Sequence, residues 1–322
     1  MFIVKNKWIF LSLSIVLVSA SLILIFTQGL RRGIDFTGGT EVVVSYNGFS
    51  ANEDGGIKLD LIKENLEKSG FTVKGVSLQK RDTAGAYIVS IKLTGDVSPS
   101  ERVNFENAWS FNHDPHYEAK QISENIIGPS VGKELTRKAF LSVFWVFVVI
   151  IIFIAFSFRK VSEPVASWKY GVLAVMALLH DIILPTGMYA ILGKTHGAEI
   201  DSLFVLALLT IMAISISDTV VVFDRIRENL KKRKSNETFE EIVGRSLSQT
   251  LLRSFNTSFA VILVLIALYA LGPLSTRDFS LTLLVGIIAG TYSSLFVASP
   301  VLVLVEKFQN RNKIKNKKKK KA

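Results

Sequence analysis

The chain has 322 residues, 49% of them hydrophobic, a formal net charge of +11 and no cysteine. The missing cysteine excludes disulfides, thiolate nucleophiles and cysteine metal sites. The apolar fraction alone decides nothing, since soluble globular chains approach it too, but its distribution does: polar residues gather at 31–138 and in a few loops, apolar residues in long blocks.

A bilayer core of about 30 Å needs about 20 predominantly apolar residues to cross it. In chain order, six blocks qualify: Trp8–Gln28, Ala139–Phe158, Tyr170–Leu192, Leu203–Phe223, Phe255–Leu271 and Phe279–Val305. Lys5 and Lys7 give the first block a basic leader like that of a signal peptide. Its apolar stretch exceeds the usual h-region of about 7–15 residues, and no small-x-small site precedes Gly29-Leu30-Arg31, so an uncleaved span is expected.

Between the first and second blocks the elements alternate. Thr40–Tyr46 (TEVVVSY) is β-rich, and Leu59–Ser69 has Leu59, Ile62 and Leu66 at helical spacing with Gly70 as a stop. Phe71–Gln79 alternates imperfectly, with Gly75 as a bulge candidate, and Tyr87–Leu93 alternates cleanly, with a turn at Asp82–Gly85 between them. Ser98 as N-cap, Pro99 at the first helical position and Glu101 completing a capping box predict a helix. A last extended piece covers Tyr117–Ile126. The order βαββαβ is that of a ferredoxin-like split βαβ domain. It offers no convergent acid, base and nucleophile, so binding rather than catalysis is expected. His113 and His116 flank Asp114-Pro115, which reads as a turn and not a metal site. The chain contains no Gly-rich phosphate loop, GxSxG or HExxH.

Lys and Arg in short flanks set orientation. Placing Lys5 and Lys7 inside puts 22 of the 38 Lys and Arg in inside segments, against Lys194 and Arg277 alone in the two short outside loops. Both termini are then cytoplasmic and one soluble domain lies outside. The expected organisation is an N-terminus and first helix at 1–29, an extracytoplasmic domain at 30–135, helices 2–6 at 136–306 and a basic cytoplasmic tail at 307–322. The cytoplasmic loop 224–253 carries Phe239, Ile242, Val243, Leu247, Leu251 and Leu252 at helical spacing, which predicts a helix lying on the membrane face. Lys313–Lys321 is nearly all lysine, which reads as a disordered end that reinforces topology, or as one attracted to anionic lipid headgroups or to an acidic partner such as ribosomal RNA.

Ionisable residues within spans are costly and usually face a bundle interior or wet cavity. Asp181 lies near the middle of span 3, after His180; Asp218 lies in span 4; Arg253 opens span 5. Ser215, Asp218 and Arg225 share a helix face, with Asp224 away from it. A carboxylate in a low-dielectric site can hold a proton near neutral pH, and an approaching guanidinium favours its release. A movable Asp218–Arg253 distance would therefore take up and release protons, whereas a fixed one would merely pin helices. In span 6, Gly286, Gly290, Ser294 and Ala298 recur every fourth residue, a small-xxx-small stripe that lets backbones approach. Ser299-Pro300 is expected to loosen the helix beyond it.

GIDFTGGT (33–40), directly after the first span, resembles the signature that opens the outer domain in the SecD/SecF family of protein-export membrane proteins, with Gly33, Asp35, Gly38 and Gly39 as its marks. LLHDIILPTG (178–187), SDTVVVFDRIREN (217–229), SLSQTLLRSFNTS (246–258) and GTYSSLFVASP (290–300) each resemble a family segment, in order. The length and the single small outer domain resemble the SecF side of the family. The resemblance implies a multi-span α-helical membrane protein of the RND superfamily in the bacterial plasma (inner) membrane, with six transmembrane helices and one α+β ferredoxin-like extracytoplasmic domain between helices 1 and 2. It implies a non-enzymatic accessory subunit of the Sec preprotein translocase, with no cofactor and the proton gradient as its energy source. The implied partners are SecD, the SecYEG channel, YajC, a YidC-type insertase, SecA indirectly, unfolded preprotein, and anionic lipids through the basic tail. It also implies that Asp218 serves proton passage, with Arg253 and Asp181 as matching positions. Where the family usually reads Gly-Tyr-Ser-x-Asn-Asp, this chain has Ala213-Ile214-Ser215-Ile216-Ser217-Asp218, so Ser217 replaces an amide. The alternatives are an RND-type efflux transporter, which would normally need two large outer domains, and a structural scaffold holding Asp218 and Arg253 as a static pair.

Overall fold

The computed structural model describes residues 2–47, 59–81, 86–112, 118–158, 165–273 and 276–319. The turn expected at Asp82–Gly85 and the pair His113 and His116 fall outside them. The elements are, in order, α1 (Phe2–Lys5), α2 (Lys7–Gln28), α3 (Ile34–Thr37), β1 (Gly39–Asn47), α4 (Leu59–Lys68), β2 (Val73–Arg81), β3 (Tyr87–Leu93), α5 (Arg102–Trp109) and β4 (Glu118–Ile127). There follow α6 (Pro129–Ser157), α7 (Ser167–Thr195), α8 (Ser202–Lys231), α9 (Phe239–Leu271), α10 (Arg277–Ser293), a π-turn (Ser294–Ala298) and α11 (Ser299–Lys319). The chain forms two compact units: a sheet unit of Arg31–Phe140 with Gly197–Ser202, and a helical unit of the rest.

In the sheet unit the strand order is β2-β3-β1-β4, every neighbouring pair antiparallel. Val42, Val44 and Tyr46 alternate inward from β1, as do Tyr87, Val89, Ile91 and Leu93 from β3. Ile62 and Leu66 of α4 and Phe105, Ala108 and Trp109 of α5 close this core. A buried and a half-buried polar group fix the helices: Tyr46 donates to the Trp109 carbonyl at 2.8 Å, and Asn65 to the Ala108 carbonyl at 2.7 Å. The β2–β3 register shifts between Val73 and Gly75, where a glycine in a strand signals a bulge. Ser98 and Glu101 make their side-chain contact at 2.6 Å, but the helix starts at Arg102, because residues 99–101 form a turn ahead of it.

Among the described residues, six helices are long and apolar enough to cross a membrane, the last running from Arg277 through the π-turn to Arg311. In the helical unit α7 and the α10–α11 helix bury half or more of their apolar windows, while α2, α6 and α9 turn most of theirs outward. The inner helices therefore carry whatever polar chemistry the bundle protects.

Two expectations are corrected. Residues 239–252 do not form a separate surface helix. Phe239, Ile242, Val243 and Leu247 are buried in the bundle, and α9 runs without interruption into span 5. Thr238 and Glu241 start it with a reciprocal capping box, satisfying two end donors. The loosening near Pro300 lies before it. Proline returns no N–H to the carbonyl four residues back, the preceding turn widens to the π-turn, and the Ser299 hydroxyl donates to the Ser294 carbonyl at 3.3 Å.

Candidate functional site

The signature residues are built into the sheet unit by close backbone approach. Gly38 has φ +76° and Gly39 φ +139°, conformations that L side chains rarely adopt. A Cβ on Gly38 would stand 2.9 Å from Pro129 Cα, and one on Gly39 would stand 2.4 Å from the Leu93 carbonyl oxygen. Gly33 donates its N–H to the Ile200 carbonyl at 2.8 Å, and a Cβ there would lie 3.0 Å from that oxygen. Asp35 accepts from the Ser202 N–H, the first residue of α8, at 2.8 Å. A carboxylate is favoured at a helix start, where unpaired N–H groups point outward.

Asp181 is fully buried in the helical unit and stands where three helices meet. Its Oδ1 pairs with Nδ1 of His180 at 2.9 Å on α7 itself. Its Oδ2 accepts from the Ser293 hydroxyl of α10 at 2.8 Å and from the Ser215 hydroxyl of α8. His180 is stacked against Tyr292 at 6.2 Å, and its Nε2 is buried with no hydrogen-bond partner among the described residues. An ionised carboxylate can only accept; once protonated it must donate from one oxygen. A proton on this carboxyl would have to be donated either to the His180 ring nitrogen, by a change of tautomer, or to a serine oxygen whose hydroxyl turns away.

The small-residue stripe is what brings these helices so close. A Cβ on Gly286 would lie 2.1 Å from Ile211 Cδ1, one on Gly290 3.0 Å from Ser215 Cβ, and Ser294 pairs with Thr219 at 3.0 Å. Residues 286, 290 and 294 thus meet 211, 215 and 219 rung for rung, each helix advancing four residues per step. Ala298, next in the stripe, is buried.

Asp218 is half-buried on α8 and accepts from the Ser258 hydroxyl of α9 at 3.3 Å. Arg253, one turn before Ser258, is exposed. Among the described residues no ion pair within 4.0 Å joins it to Asp218. Arg253 lines a cleft of about 690 Å³ with Asp224, Arg225, Arg227 and Gln249. Arg225 bonds Gln249 at 2.7 Å and Asp224 pairs with Arg227 at 2.6 Å on the surface. Ser215 and Asp218, expected on one face, part company: Ser215 serves Asp181, and Asp218 turns to α9. Ser217, which stands where the family usually has an amide, is exposed and away from the Asp181 cluster.

Sequence reading missed Ser293, Ser258, Thr219 and the pairing role of His180. Isolated hydroxyls in an apolar run carry little signal; the pattern that could have found Ser293 is its place one residue before Ser294 in the stripe. Among the described residues, no group of three or more His, Asp or Glu could hold a metal ion.

Fold and polar cluster together define a membrane protein with six apolar helices among the described residues, a small antiparallel-sheet unit and one carboxylate, Asp181, buried in its bundle. Residues 108–308 match the family described as Protein export membrane protein SecD/SecF, C-terminal, and residues 23–47 match the SecD/SecF GG motif. The chain is 39% identical to the protein translocase subunit SecF of Thermobaculum terrenum, over 94% of this chain and 92% of that one. It is 36% identical to the SecF subunit of Rhodothermus marinus, over 93% and 90%. The crystal structure of SecDF, a translocon-associated membrane protein from Thermus thermophilus, superposes with a TM-score of 0.77 at 30% identity. The match covers 94% of this chain and 38% of that longer one. The chain belongs to the SecD/SecF family.

Proposed function

We propose that this chain is a SecF-type subunit of the Sec preprotein translocase that pairs with a SecD-type protein and uses the proton-motive force to promote late export across the bacterial plasma membrane. The names of the relatives, protein translocase subunits SecF and SecDF, support the export role. The observation that carries the proton coupling is the setting of Asp218: a half-buried carboxylate inside a span that accepts a long 3.3 Å contact from the Ser258 hydroxyl, with no ion pair to Arg253 within 4.0 Å among the described residues. Asp181 is the second carrier, joining α7, α8 and α10 through His180 and two serine hydroxyls whose donor and acceptor roles change with its protonation. One charge crossing 100 mV is worth about 2.3 kcal/mol, so a few protons suffice to bias a domain movement.

On this reading the sheet unit is extracytoplasmic and both termini are cytoplasmic. Its element order and strand order support a ferredoxin-like domain. The channel SecYEG and the emerging unfolded preprotein are its partners, with YajC, a YidC-type insertase and, indirectly, SecA in the same assembly. The lysine tail would attract anionic lipids.

The test is release of a stalled preprotein in inverted vesicles, with and without a proton gradient, for the native chain and Asp218→Asn at equal protein levels. The gradient is expected to accelerate export in the native chain and not in the variant. Equal acceleration in both would leave only a scaffold role.

A further inference from the structure

The sheet unit includes six residues from outside its own stretch of chain, the strap Gly197–Ser202. By chain continuity this strap is the peptide link between α7, which carries Asp181, and α8, which carries Ser215 and Asp218. Its attachment is denser than a surface loop needs. Ile200 forms a parallel β-bridge with Arg32, donating to the Arg31 carbonyl and accepting from the Gly33 N–H, both at 2.8 Å. Glu199, its side chain only 11% exposed, pairs with Lys92 of β3 at 3.0 Å and with Lys74 of β2 at 3.9 Å. Lys74 in turn donates to the Thr37 hydroxyl at 3.1 Å and to the Arg32 carbonyl. Asp35 holds the Ser202 N–H at the far end of the strap. Four successive positions, 199 to 202, thus include three that are fastened, by side chain, by backbone and by a helix-start contact.

We propose that this strap is a rigid link through which α7 and α8 drive the sheet unit, with Glu199 as its positioning residue. A loop fastened at three points transmits a shift of the helices that lead into and out of it, whereas a free loop would absorb that shift. Lys92 and Lys74 sit on two strands of the sheet, so the pull is delivered to the sheet itself and not only to the signature segment. The close fit of Gly33 against the Ile200 carbonyl gives the first signature glycine a task in this link: any side chain there would push the strap away. The output, export, rests on the function proposed above; the link itself rests on the contacts.

The chain has no native cysteine, so a single engineered pair tests the link cleanly. Partners across a β-bridge lie within the reach of a disulfide. The experiment uses full-length chain with its partner subunits in inverted vesicles at a fixed gradient. Glu199→Lys sets a third cation beside Lys92 and Lys74, and export is expected to fall about tenfold, the scale of one lost charge-assisted contact. Adding Arg32→Cys and Ile200→Cys to that variant is expected to restore export when oxidised and not when reduced. In the otherwise native chain, the same pair is expected to export normally in either state. Native-rate export by Glu199→Lys, no recovery on oxidation, or arrest of the native background by oxidation would each overturn the proposal. Arrest of the native-background pair by oxidation overturns the proposal even should Glu199→Lys fail to accumulate. The comparison is between strap variants and native at one gradient, so it separates from the proton reading, which is judged by whether Asp218→Asn loses the acceleration that the gradient gives the native chain.

Discussion

Ser215 of α8 gives its hydroxyl hydrogen bond to Asp181 of α7, although Asp218 stands one turn further along its own helix. The stripe explains the choice. Gly290 removes the side chain that would otherwise separate α10 from Ser215, and a Cβ at 290 would also lie 3.5 Å from Asp181 Oδ2. Close packing therefore buries Asp181 in a three-helix junction and leaves Asp218 half-buried on the side facing α9. Two carboxylates of similar sequence context end in different environments, one fixed and one able to change partners.

This difference predicts how substitutions at 181 divide. Asp181→Ala strands the Ser215 and Ser293 hydroxyls and the His180 ring in a buried site, so unfolding of the detergent-solubilised protein should show a loss of about 3 kcal/mol or more. Asp181→Asn keeps an acceptor for both serines, and His180 can present its other tautomer to the amide. It should stay within about 1 kcal/mol of native stability. Yet it cannot gain or lose a proton, and its gradient response should fall with Asp218→Asn.

The rung between Gly286 and Ile211 predicts a coupled pair. Gly286→Ala places a methyl where Ile211 Cδ1, Cγ1 and Cγ2 all lie within 3.0 Å, so the whole branched side chain must move. The expected cost is about 1–3 kcal/mol. Ile211→Ala alone leaves a cavity and should also destabilise. The double variant should be more stable than the sum of the two losses implies, and a double-mutant cycle measures that surplus.

The alternation of Tyr87, Val89, Ile91 and Leu93 located β3 to the residue, because one face of that strand is core and the other is not. The apolar blocks located six helices for an equally simple reason: length and hydropathy are properties of a segment by itself. What could not be read is what depends on distant neighbours. The stripe Phe239, Ile242, Val243 and Leu247 has the same periodicity whether it faces lipid or protein, and only the packed bundle shows that it faces protein. Glu199 looks like any loop acid until the fold brings Lys92, more than a hundred positions earlier, to 3.0 Å. Asp181 and Asp218 were visible as misplaced charges, but their hydroxyl partners came from three other stretches of chain.

The glycine signature predicts a graded series. Gly38→Ala and Gly39→Ala each combine a positive φ with a Cβ driven against backbone atoms, which cannot swing aside as a side chain can. Gly70→Ala shares the positive φ, at +89°, but its Cβ would meet nothing within 4 Å. The third should cost only the backbone strain, about 1–2 kcal/mol, and leave a protease-resistant sheet unit. The first two should exceed it and lower the amount of folded protein, as limited proteolysis of membranes would show.

Lys92 sets the pH dependence of the sheet unit on the alkaline side. Burial works against its charge, but Glu41 and Glu199 beside it outweigh that and hold its amino group above the ordinary value of 10.5. The ion pairs therefore contribute fully below the unfolded-state value and are lost as pH rises through the higher folded one. Tyr46 acts in the same direction: burial pushes its phenol well above the ordinary 10.0, so the unfolded chain ionises first and the folded state loses ground above that pH. Stability of the sheet unit, followed by denaturant unfolding at fixed ionic strength, should show no loss from these two groups between neutrality and about pH 10 and fall beyond it. Lys92→Met should lessen the fall but not abolish it, because Tyr46 remains. An identical alkaline fall in Lys92→Met would mean that the Glu199–Lys92 pair contributes nothing to holding the strap on the sheet.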